Sequence, residues 1–340
     1  MDDRKIKRRK FMATGAATAA AIAGTSLVTQ NCAAVPPEST ASEKDQQNPD
    51  LASNLPLTEM PERILGKTGV SVPIFGLGGA GQTPLSQRGR EKESILLLEK
   101  AVELGIRYFD TAASYGPSED NFGQVLPAYR SRVFIASKTS KLDRDGAWRE
   151  LERSLERLKT DYLDLWQLHH ISFLEEIDKI TAKNGAGKAL QEAKEQKIVR
   201  FCGITGHHEP DAIAEGVRRY PFDTILVPIN AADRQHPHPF VPHILPVAQA
   251  ENIGVIAMKV PAYGRIFKPG RLTGMEQAFG YSLSQPGVHC AIVAAEDTVQ
   301  LESNINVAKA FQQLEQSQLK EIETLAANGW EDTTFFRRWT

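Results

Sequence analysis

Short apolar runs alternate with amphipathic segments from residue 58 to the end of the 340-residue chain. The runs have the length and content of buried strands, whereas the segments between them repeat apolar residues at helical spacing, as Leu98, Ala101 and Val102 do. The predicted strands lie at 74–79, 106–110, 133–137, 162–168, 201–205, 224–228, 254–258 and 289–294. The predicted helices lie at 92–104, 118–126, 147–158, 187–195, 211–219, 242–251, 274–284 and 298–311.

This strict alternation of strands and helices predicts an α/β fold of the closed (β/α)8 TIM-barrel type. Near-continuous apolar strands are typical of parallel sheets covered on both faces. An open doubly wound sheet is the alternative, but the glycine-rich segment 76–81 lacks the spacing and the following helix of a dinucleotide-binding fingerprint. An N-terminal β-hairpin over residues 63–74, turned at 67–69, and a C-terminal helix complete the expected fold.

The first 34 residues have the composition of an export signal. A basic run, residues 4–12, precedes a weakly apolar stretch, 13–28, and small residues follow near Cys32. The Arg8-Arg9 pair resembles the twin-arginine type, so we expect the twin-arginine export machinery as a partner and the periplasm as the location. The stretch is too short and too rich in Thr and Gly for stable membrane insertion. A disordered basic tail is the alternative.

Composition divides the rest of the chain and excludes some partners. Residues 35–58 contain few large apolar side chains and are expected to form a disordered linker, residues 59–330 form the barrel, and 331–340 form a C-terminal tail. The 40 basic and 42 acidic residues are mixed along the chain, which argues against a nucleic-acid partner. Beyond the signal, Cys202 and Cys290 are expected as buried apolar groups, because no metal-binding spacing accompanies them.

Four polar residues with complementary chemistry lie at or after the ends of neighbouring predicted strands: Asp110, Tyr115, Lys138 and His169. Each of them alone is as readily explained by a turn, a surface position or a core hydrogen bond. Parallel barrel strands, however, end at one mouth, where such barrels place their active sites. The shared position therefore predicts that the four side chains converge and that the protein is an enzyme.

The four residues suit the reduction of a carbonyl group. The Tyr115 hydroxyl can donate a proton to the carbonyl oxygen as a hydride reaches the carbon. A cation at Lys138 is expected to favour the phenolate form of Tyr115, and Asp110 is expected to orient that lysine by a charge-assisted hydrogen bond. A neutral His169 can hold the carbonyl oxygen against Tyr115.

The chain from about residue 61 to 327 resembles the aldo/keto reductase family. The motifs that carry the resemblance lie at 63–72, 76–78, 109–116 with Ser118-Glu119, 137–139, 155–165 leading to His169, and 253–259. The resemblance implies that Asp110, Tyr115, Lys138 and His169 form the family's catalytic tetrad. It also implies NADPH or NADH as a freely bound hydride donor and an aldehyde, a ketone or the corresponding alcohol as substrate.

The cofactor site that the resemblance implies departs from the family pattern. Gly206 stands in place of an asparagine, Leu226 in place of a glutamine and Met258 in place of a stacking tyrosine. Glu296 and Gln300 occupy the usual clamp for an adenosine 2′-phosphate, and a carboxylate there favours NAD over NADP. The full cofactor set is Gly78, Gly79, Thr205, Gly206, Leu226, Met258, Lys259, Glu296, Gln300 and Asn304.

Two further alternatives concern the histidines and catalysis itself. His207-His208 and the group His236, His238 and His243 invite a metal site, but no carboxylate spacing completes one, so we expect no metal. These loops are instead expected to line the substrate pocket together with Trp166 or Tyr263. The altered cofactor contacts also permit a non-catalytic or regulatory nicotinamide-binding barrel of the same fold.

Overall fold

The computed structural model of the protein describes residues 60–340, so the predicted export signal and linker lie outside the described residues. All eight predicted barrel strands are confirmed. After a hairpin of β1 (Glu62–Ile64) and β2 (Ser71–Pro73), the barrel strands are β3 (Phe75–Gly78), β4 (Tyr108–Asp110), β5 (Phe134–Thr139), β6 (Leu163–Leu168), β7 (Val199–Thr205), β8 (Thr224–Pro228), β9 (Gly254–Met258) and β10 (Val288–Val293).

Strands β3 to β10 pair in parallel and close into one barrel, with β10 beside β3. This confirms the (β/α)8 fold and excludes the open sheet. The helices are α1 (Glu91–Glu103), α2 (Ser118–Val125), α3 (Arg144–Leu158), α4 (Leu174–Thr181), α5 (Ala186–Glu195), α6 (Pro210–Arg219), α7 (Phe240–Ala250), α8 (Met275–Ser284), α9 (Thr298–Lys309), α10 (Gln316–Ala327) and α11 (Trp330–Thr333). Within residues 60–340, no helix combines the length and apolar character needed to cross a membrane.

The predicted N-terminal hairpin closes the bottom of the barrel. Leu65 and Val72 are fully buried and pack with side chains from the barrel interior. Gly66 has a φ of +49°, and a Cβ at this position would lie 2.3 Å from the Gly254 nitrogen. A side chain is therefore excluded where the hairpin meets β9, and the barrel can open only at its opposite end.

Helices α3 and α4 differ from the prediction for local reasons. Helix α3 begins at Arg144, earlier than predicted, because the Asp143 side chain accepts a hydrogen bond from the Gly146 nitrogen at 2.7 Å and caps the helix. Helix α4 was not predicted at all. Its start is set by Glu176, whose carboxylate accepts hydrogen bonds from the Ser172 and Phe173 nitrogens at 2.7 and 2.9 Å.

Residues 330–339, which we name the C-terminal strap, are folded rather than a free tail. They comprise α11 and a 3-10 helix, Phe335–Arg338, in which Phe336 is fully buried. Arg337 Nη1 donates to Asp233 Oδ1 at 2.6 Å, and both side chains are buried. The aromatic residues of this segment and its buried ion pair explain why the predicted tail is part of the barrel domain.

The C-terminal strap also holds the loop that follows β9. The Asp332 carboxylate accepts hydrogen bonds from Arg265, Lys268 and Arg271 at 2.8, 2.7 and 3.1 Å, respectively. These three cations lower the pKa of Asp332 to about 2. The strap therefore joins two loops at the same end of the barrel. Its Arg337 pairs with Asp233 in the loop after β8, and its Asp332 pairs with the cations of the loop after β9.

Candidate active site

The carboxyl ends of three adjacent strands bring the predicted polar residues together. Asp110 is the last residue of β4, Lys138 lies near the end of β5, and His169 directly follows β6. Asp110 pairs with Ala136 in the β4–β5 register, which places Lys138 one pleat further toward the mouth. Because all three strands run in parallel, their side chains converge at this end, as the sequence predicts.

A buried ion pair forms the floor of the site. Lys138 Nζ donates to Asp110 Oδ1 and, at 2.7 Å, to the Thr111 carbonyl oxygen, while Gln167 Nε2 donates to Asp110 Oδ2 at 3.2 Å. Lys138 and Asp110 are each less than 3% exposed. Burial raises the pKa of Asp110 and lowers that of Lys138, and the opposite charge of each partner counteracts this effect. The pair is thus held by hydrogen bonds on both sides.

Tyr115 and His169 lie above this pair. Tyr115 Oη is 3.3 Å from His169 Nε2, and Ser114 Oγ is 3.2 Å from His169 Nδ1. Burial lowers the pKa of His169 well below its ordinary value, and the Lys138 charge acts in the same direction, so the ring is neutral. A neutral imidazole has one N–H, so the ring donates in one of these contacts and accepts in the other.

Burial, rather than the neighbouring Lys138, dominates the pKa of Tyr115. Lys138 Nζ lies 4.8 Å from the centroid of the Tyr115 ring, over its face. Burial, followed by the Asp110 charge, raises the pKa of the Tyr115 hydroxyl above its ordinary value. Burial therefore outweighs the effect expected from the lysine, and the protonated tyrosine rather than the phenolate is the form present in the site as it stands. Tyr115 keeps its proton throughout the physiological range, and this suits a proton donor.

Ser114, Gln167 and Thr205 support the site in ways that the motifs did not reveal. Ser114 and Gln167 contact His169 and Asp110 as described. Thr205 Oγ1 accepts a hydrogen bond from the His170 nitrogen at 2.9 Å, and the Thr205 carbonyl accepts one from the Ile171 nitrogen at 2.8 Å. Thr205, predicted to contact the cofactor, thereby fixes the segment that carries His169. Gln167 lies two residues before His169, so the two side chains point to the same side of the extended chain. This spacing is the only sequence signal for the role of Gln167.

Of the predicted cofactor residues, Gly79 and Gly206 are constrained by packing. A Cβ at Gly79 would lie 2.3 Å from Ser118 Oγ, and the Gly79 nitrogen donates to the Asp110 carbonyl at 2.7 Å. A Cβ at Gly206 would lie 2.4 Å from the Ile171 carbonyl oxygen. An asparagine, the residue that the resemblance implies at 206, therefore has no space, and Gly206 offers only its backbone.

The other cofactor residues near the strand ends differ in their access to the mouth. Outside its chain neighbours, the nearest atoms that a Cβ at Gly78 would meet are backbone atoms of residues 293 and 294, at 3.6 Å or more. Leu226 is 1% exposed and packs inside the barrel, whereas Met258 and Lys259 are half-buried at the end of β9. Met258 can thus present its side chain to a ligand, but Leu226 belongs to the barrel core.

The remaining three cofactor residues lie around the start of α9. Asp297 caps this helix by accepting a hydrogen bond from the Gln300 nitrogen, and Gln300 Oε1 accepts one from the Glu296 nitrogen at 2.8 Å. Glu296 and Gln300 are exposed, whereas Asn304 is 5% exposed. The exposed Glu296 carboxylate has no cationic partner within the described part of the chain, so it can repel a phosphate or accept hydrogen bonds from hydroxyl groups.

The histidine-rich loops contact the C-terminal strap. The His207 ring lies 5.8 Å from the Trp339 ring, and His208 Nδ1 contacts the Arg337 carbonyl oxygen. His236 packs on Trp330 at 5.7 Å. In residues 60–340, no group of three or more His, Cys, Asp or Glu side chains is placed to hold a metal ion. The strap was not predicted from the sequence, although four of its ten residues are aromatic, which is a signal for burial.

The two aromatic residues expected to line the pocket have different positions. Trp166 is fully buried in the layer between strands and helices, so of the two alternatives, Trp166 or Tyr263, Trp166 does not line the pocket. Its position in β6 directs it outward, because side chains alternate between the two faces of a strand. Tyr263 is 46% exposed and contacts Trp339 and Phe335, so it does lie at the mouth.

Comparisons with known proteins identify similar sequences and folds. The sequence pattern described as "Aldo/keto reductase family" matches residues 74–278, more than half of the chain. The uncharacterized oxidoreductase YqkF of Bacillus subtilis is 28% identical over 313 residues, which are 78% of this chain and 96% of that protein. NADPH-dependent codeinone reductase 1-3 of Papaver somniferum is 38% identical over 113 residues, 30% of this chain and 34% of its own.

A solved structure shows the same fold. The holo form of the aldo-keto reductase AKR11C1 from Bacillus halodurans superimposes with a TM-score of 0.67 at 23% identity. The match covers 78% of this chain and 96% of that one.

Proposed function

The chain belongs to the aldo/keto reductase family, and we propose that it reduces aldehyde or ketone carbonyls, or oxidises the corresponding alcohols, with NADH or NADPH. The family consists of oxidoreductases that act on carbonyl groups with a nicotinamide cofactor. The observation that carries the proposal is the 3.3 Å contact between Tyr115 Oη and His169 Nε2 above the buried Lys138–Asp110 pair.

The residues at the mouth fit a nicotinamide cofactor in part. Met258 offers a half-buried thioether that can pack on a flat ring, and the absence of a side chain at Gly79 leaves backbone at the end of β3. Asn304 and Glu296 offer polar contacts beyond β10. When bound, the cofactor supplies the hydride. Gly206 and Leu226 do not supply the side-chain contacts that the family pattern provides at those positions.

The proton comes from this chain's own residues. Tyr115 retains its proton because burial raises the pKa of its hydroxyl, so it can donate that proton to a carbonyl oxygen. The neutral His169 hydrogen-bonds the same oxygen and positions it. After the proton has left, the Lys138 ammonium, 4.8 Å from the centre of the ring, stabilises the negative charge on Tyr115. Asp110 keeps the ammonium in place and contributes as a positioning residue.

The alternative is a non-catalytic or regulatory nicotinamide-binding barrel. The loss of usual contacts at Gly206 and Leu226 favours it. Such a barrel would bind the cofactor without turning over any carbonyl substrate. The complete set of Asp110, Tyr115, Lys138 and His169 argues against this alternative and favours catalysis.

Replacement of Tyr115 with Phe separates these two functions. The variant keeps the ring and loses only the proton donor, so kcat should fall by about 100-fold or more. Cofactor affinity, followed by fluorescence titration, should stay within about twofold of that of the wild type, since the hydroxyl serves the reaction rather than binding. Equal carbonyl-dependent oxidation of NADH in the two proteins would remove Tyr115 from the mechanism, and a wild type that binds cofactor without turnover would support the alternative.

We also propose a preference for NADH over NADPH. The exposed Glu296 carboxylate lies where the family resemblance places a clamp for the 2′-phosphate, and like charges repel each other. The wild type should therefore bind NADH more tightly than NADPH in a fluorescence titration. Glu296→Lys should raise the affinity for NADPH by about fivefold or more, since it replaces a repulsive charge with an attractive one.

Glu302→Lys is the matched control for this change, because Glu302 is an exposed carboxylate on α9, the helix that follows Glu296, and its replacement alters the net charge equally. Its NADPH affinity should stay close to that of the wild type. Tighter binding of NADPH than of NADH by the wild type would contradict the proposed preference.

We propose, finally, that the protein is exported by the twin-arginine route. The support is the basic run with Arg8-Arg9 ahead of a weakly apolar stretch. Because this route carries folded proteins, the barrel can leave the cytoplasm with its cofactor bound. In cell fractionation, the full chain should reach the periplasm, and the Arg8→Lys/Arg9→Lys variant should remain in the cytoplasm. Equal export of the two chains would contradict the twin-arginine route, and periplasmic protein without nicotinamide would contradict export with the cofactor bound.

A further inference from the structure

Lys259 places a positive charge at the mouth without a carboxylate partner. It directly follows β9, with a left-handed φ of +59°. Within residues 60–340, it takes part in no ion pair, whereas the carboxylates of Asp110, Asp233 and Asp332 at this end of the barrel are each paired with other cations. The charge on Lys259 is therefore not neutralised by the surrounding protein.

Aromatic rings enclose the Lys259 ammonium on one side. Its nitrogen lies 4.7 Å from the centre of the Trp339 ring, 4.8 Å from that of Tyr263 and 6.0 Å from that of Phe336. One N–H donates to Tyr263 Oη at 3.2 Å, and the other two have no acceptor among the described residues. Rings stabilise a cation by about 0.5 to 2 kcal/mol, but they do not accept its hydrogen bonds as an oxygen anion would.

The position of Lys259 connects it to the carbonyl end of the site. Trp339, which covers the ammonium, packs against His207, and the His207 ring lies 4.5 Å from that of His170, the residue next to His169. The Lys259 charge also lowers the pKa of both His169 and His207. Lys259, which the family resemblance placed among the cofactor residues, thus has its ammonium beside the groups that would hold the substrate.

We propose that Lys259 binds an anionic group of the substrate, so that the preferred substrates are carbonyl compounds that also carry a carboxylate or a phosphate. This inference rests on the proposed function of the same site. A partly desolvated ammonium with two free N–H groups is stabilised most by an anion that accepts both of them. The neutral His169 and His207 and the paired Lys138 leave Lys259 as the charge that such a group would meet.

The pH dependence of substrate choice follows from the groups around Lys259. Burial and the nearby Lys138 lower the pKa of Lys259 to about 8. His169 and His207 stay neutral because burial lowers their pKa, and Tyr263 stays protonated because burial raises its pKa to about 12. Lys259 is charged below its pKa, so the preference for anionic substrates should be strongest well below pH 8, half lost near pH 8 and absent well above it.

The test compares two aldehydes that differ by one charge, benzaldehyde and 4-carboxybenzaldehyde. The full-length wild type should show the higher kcat/KM for 4-carboxybenzaldehyde. In Lys259→Met, the ratio of kcat/KM for the charged aldehyde to that for the neutral one should fall by about tenfold or more, the range expected when a hydrogen bond to a charged group is lost. A ratio is the suitable measure because any loss of cofactor affinity lowers both values alike.

Two further variants make the comparison specific. Lys259→Arg keeps a cation and should retain most of the preference. Lys141→Met removes an exposed lysine at the same end of the barrel, one that already lies 3.8 Å from Glu150, and should leave the ratio unchanged. An equal fall in Lys141→Met would show a general effect of surface charge and overturn the assignment.

A binding measurement separates failure of this inference from failure of the proposed function. The alcohol 4-(hydroxymethyl)benzoate should bind the cofactor-loaded wild type more tightly than benzyl alcohol, and Lys259→Met should lose this difference. Turnover of both aldehydes with an unchanged ratio, or weaker cofactor binding as the sole defect of Lys259→Met, would overturn the inference alone. Absence of turnover with any carbonyl would overturn the proposed function. The relative binding of the two alcohols would then test the anion site independently of turnover.

Discussion

The site depends on the buried ion pair between Lys138 and Asp110. Removing two charges from water is costly, and a pair with poor geometry would destabilise the barrel. Here the Thr111 carbonyl and the Gln167 amide satisfy the remaining hydrogen bonds, and the parallel register of β4 and β5 brings the two side chains together. The pair fixes a cation beneath the Tyr115 ring. A hydrophobic pair could stabilise the fold equally well but could not stabilise a phenolate.

Much of the fold and the four polar residues could be predicted from the sequence, because both depend on local patterns. Apolar strands alternating with amphipathic helices specify a parallel barrel, and parallel strands gather their end residues at one mouth. Less could be predicted where contacts are distant in sequence. The supporting role of Gln167, the burial of Trp166 in the outer layer and the lack of space at Gly206 depend on neighbouring elements. The pKa of Tyr115 depends on how deeply the whole mouth is buried.

The C-terminal strap explains why the mouth has its present shape. The loop after β9 has left-handed backbone at Lys259, Ala262 and Tyr263, conformations that cost free energy unless neighbouring contacts hold them. The ion pairs of Asp332 with that loop supply such contacts, and the pair of Arg337 with Asp233 in the loop after β8 anchors the strap itself. The mouth therefore combines the four polar residues at the strand ends with a rim that the strap holds in place, and this rim carries Lys259, the residue that we propose selects the substrate.

The central claim is that this mouth transfers a hydride to a carbonyl carbon while Tyr115 supplies the proton. It is tested most directly with NADH that carries two deuterium atoms at C4 and 4-carboxybenzaldehyde as acceptor, with mass spectrometry of the alcohol formed. The account predicts one deuterium on the carbinol carbon and an oxygen-bound proton that exchanges with water. Bound cofactor with no labelled alcohol, for this aldehyde and for a panel of neutral aldehydes and ketones tested with either nicotinamide, would contradict it.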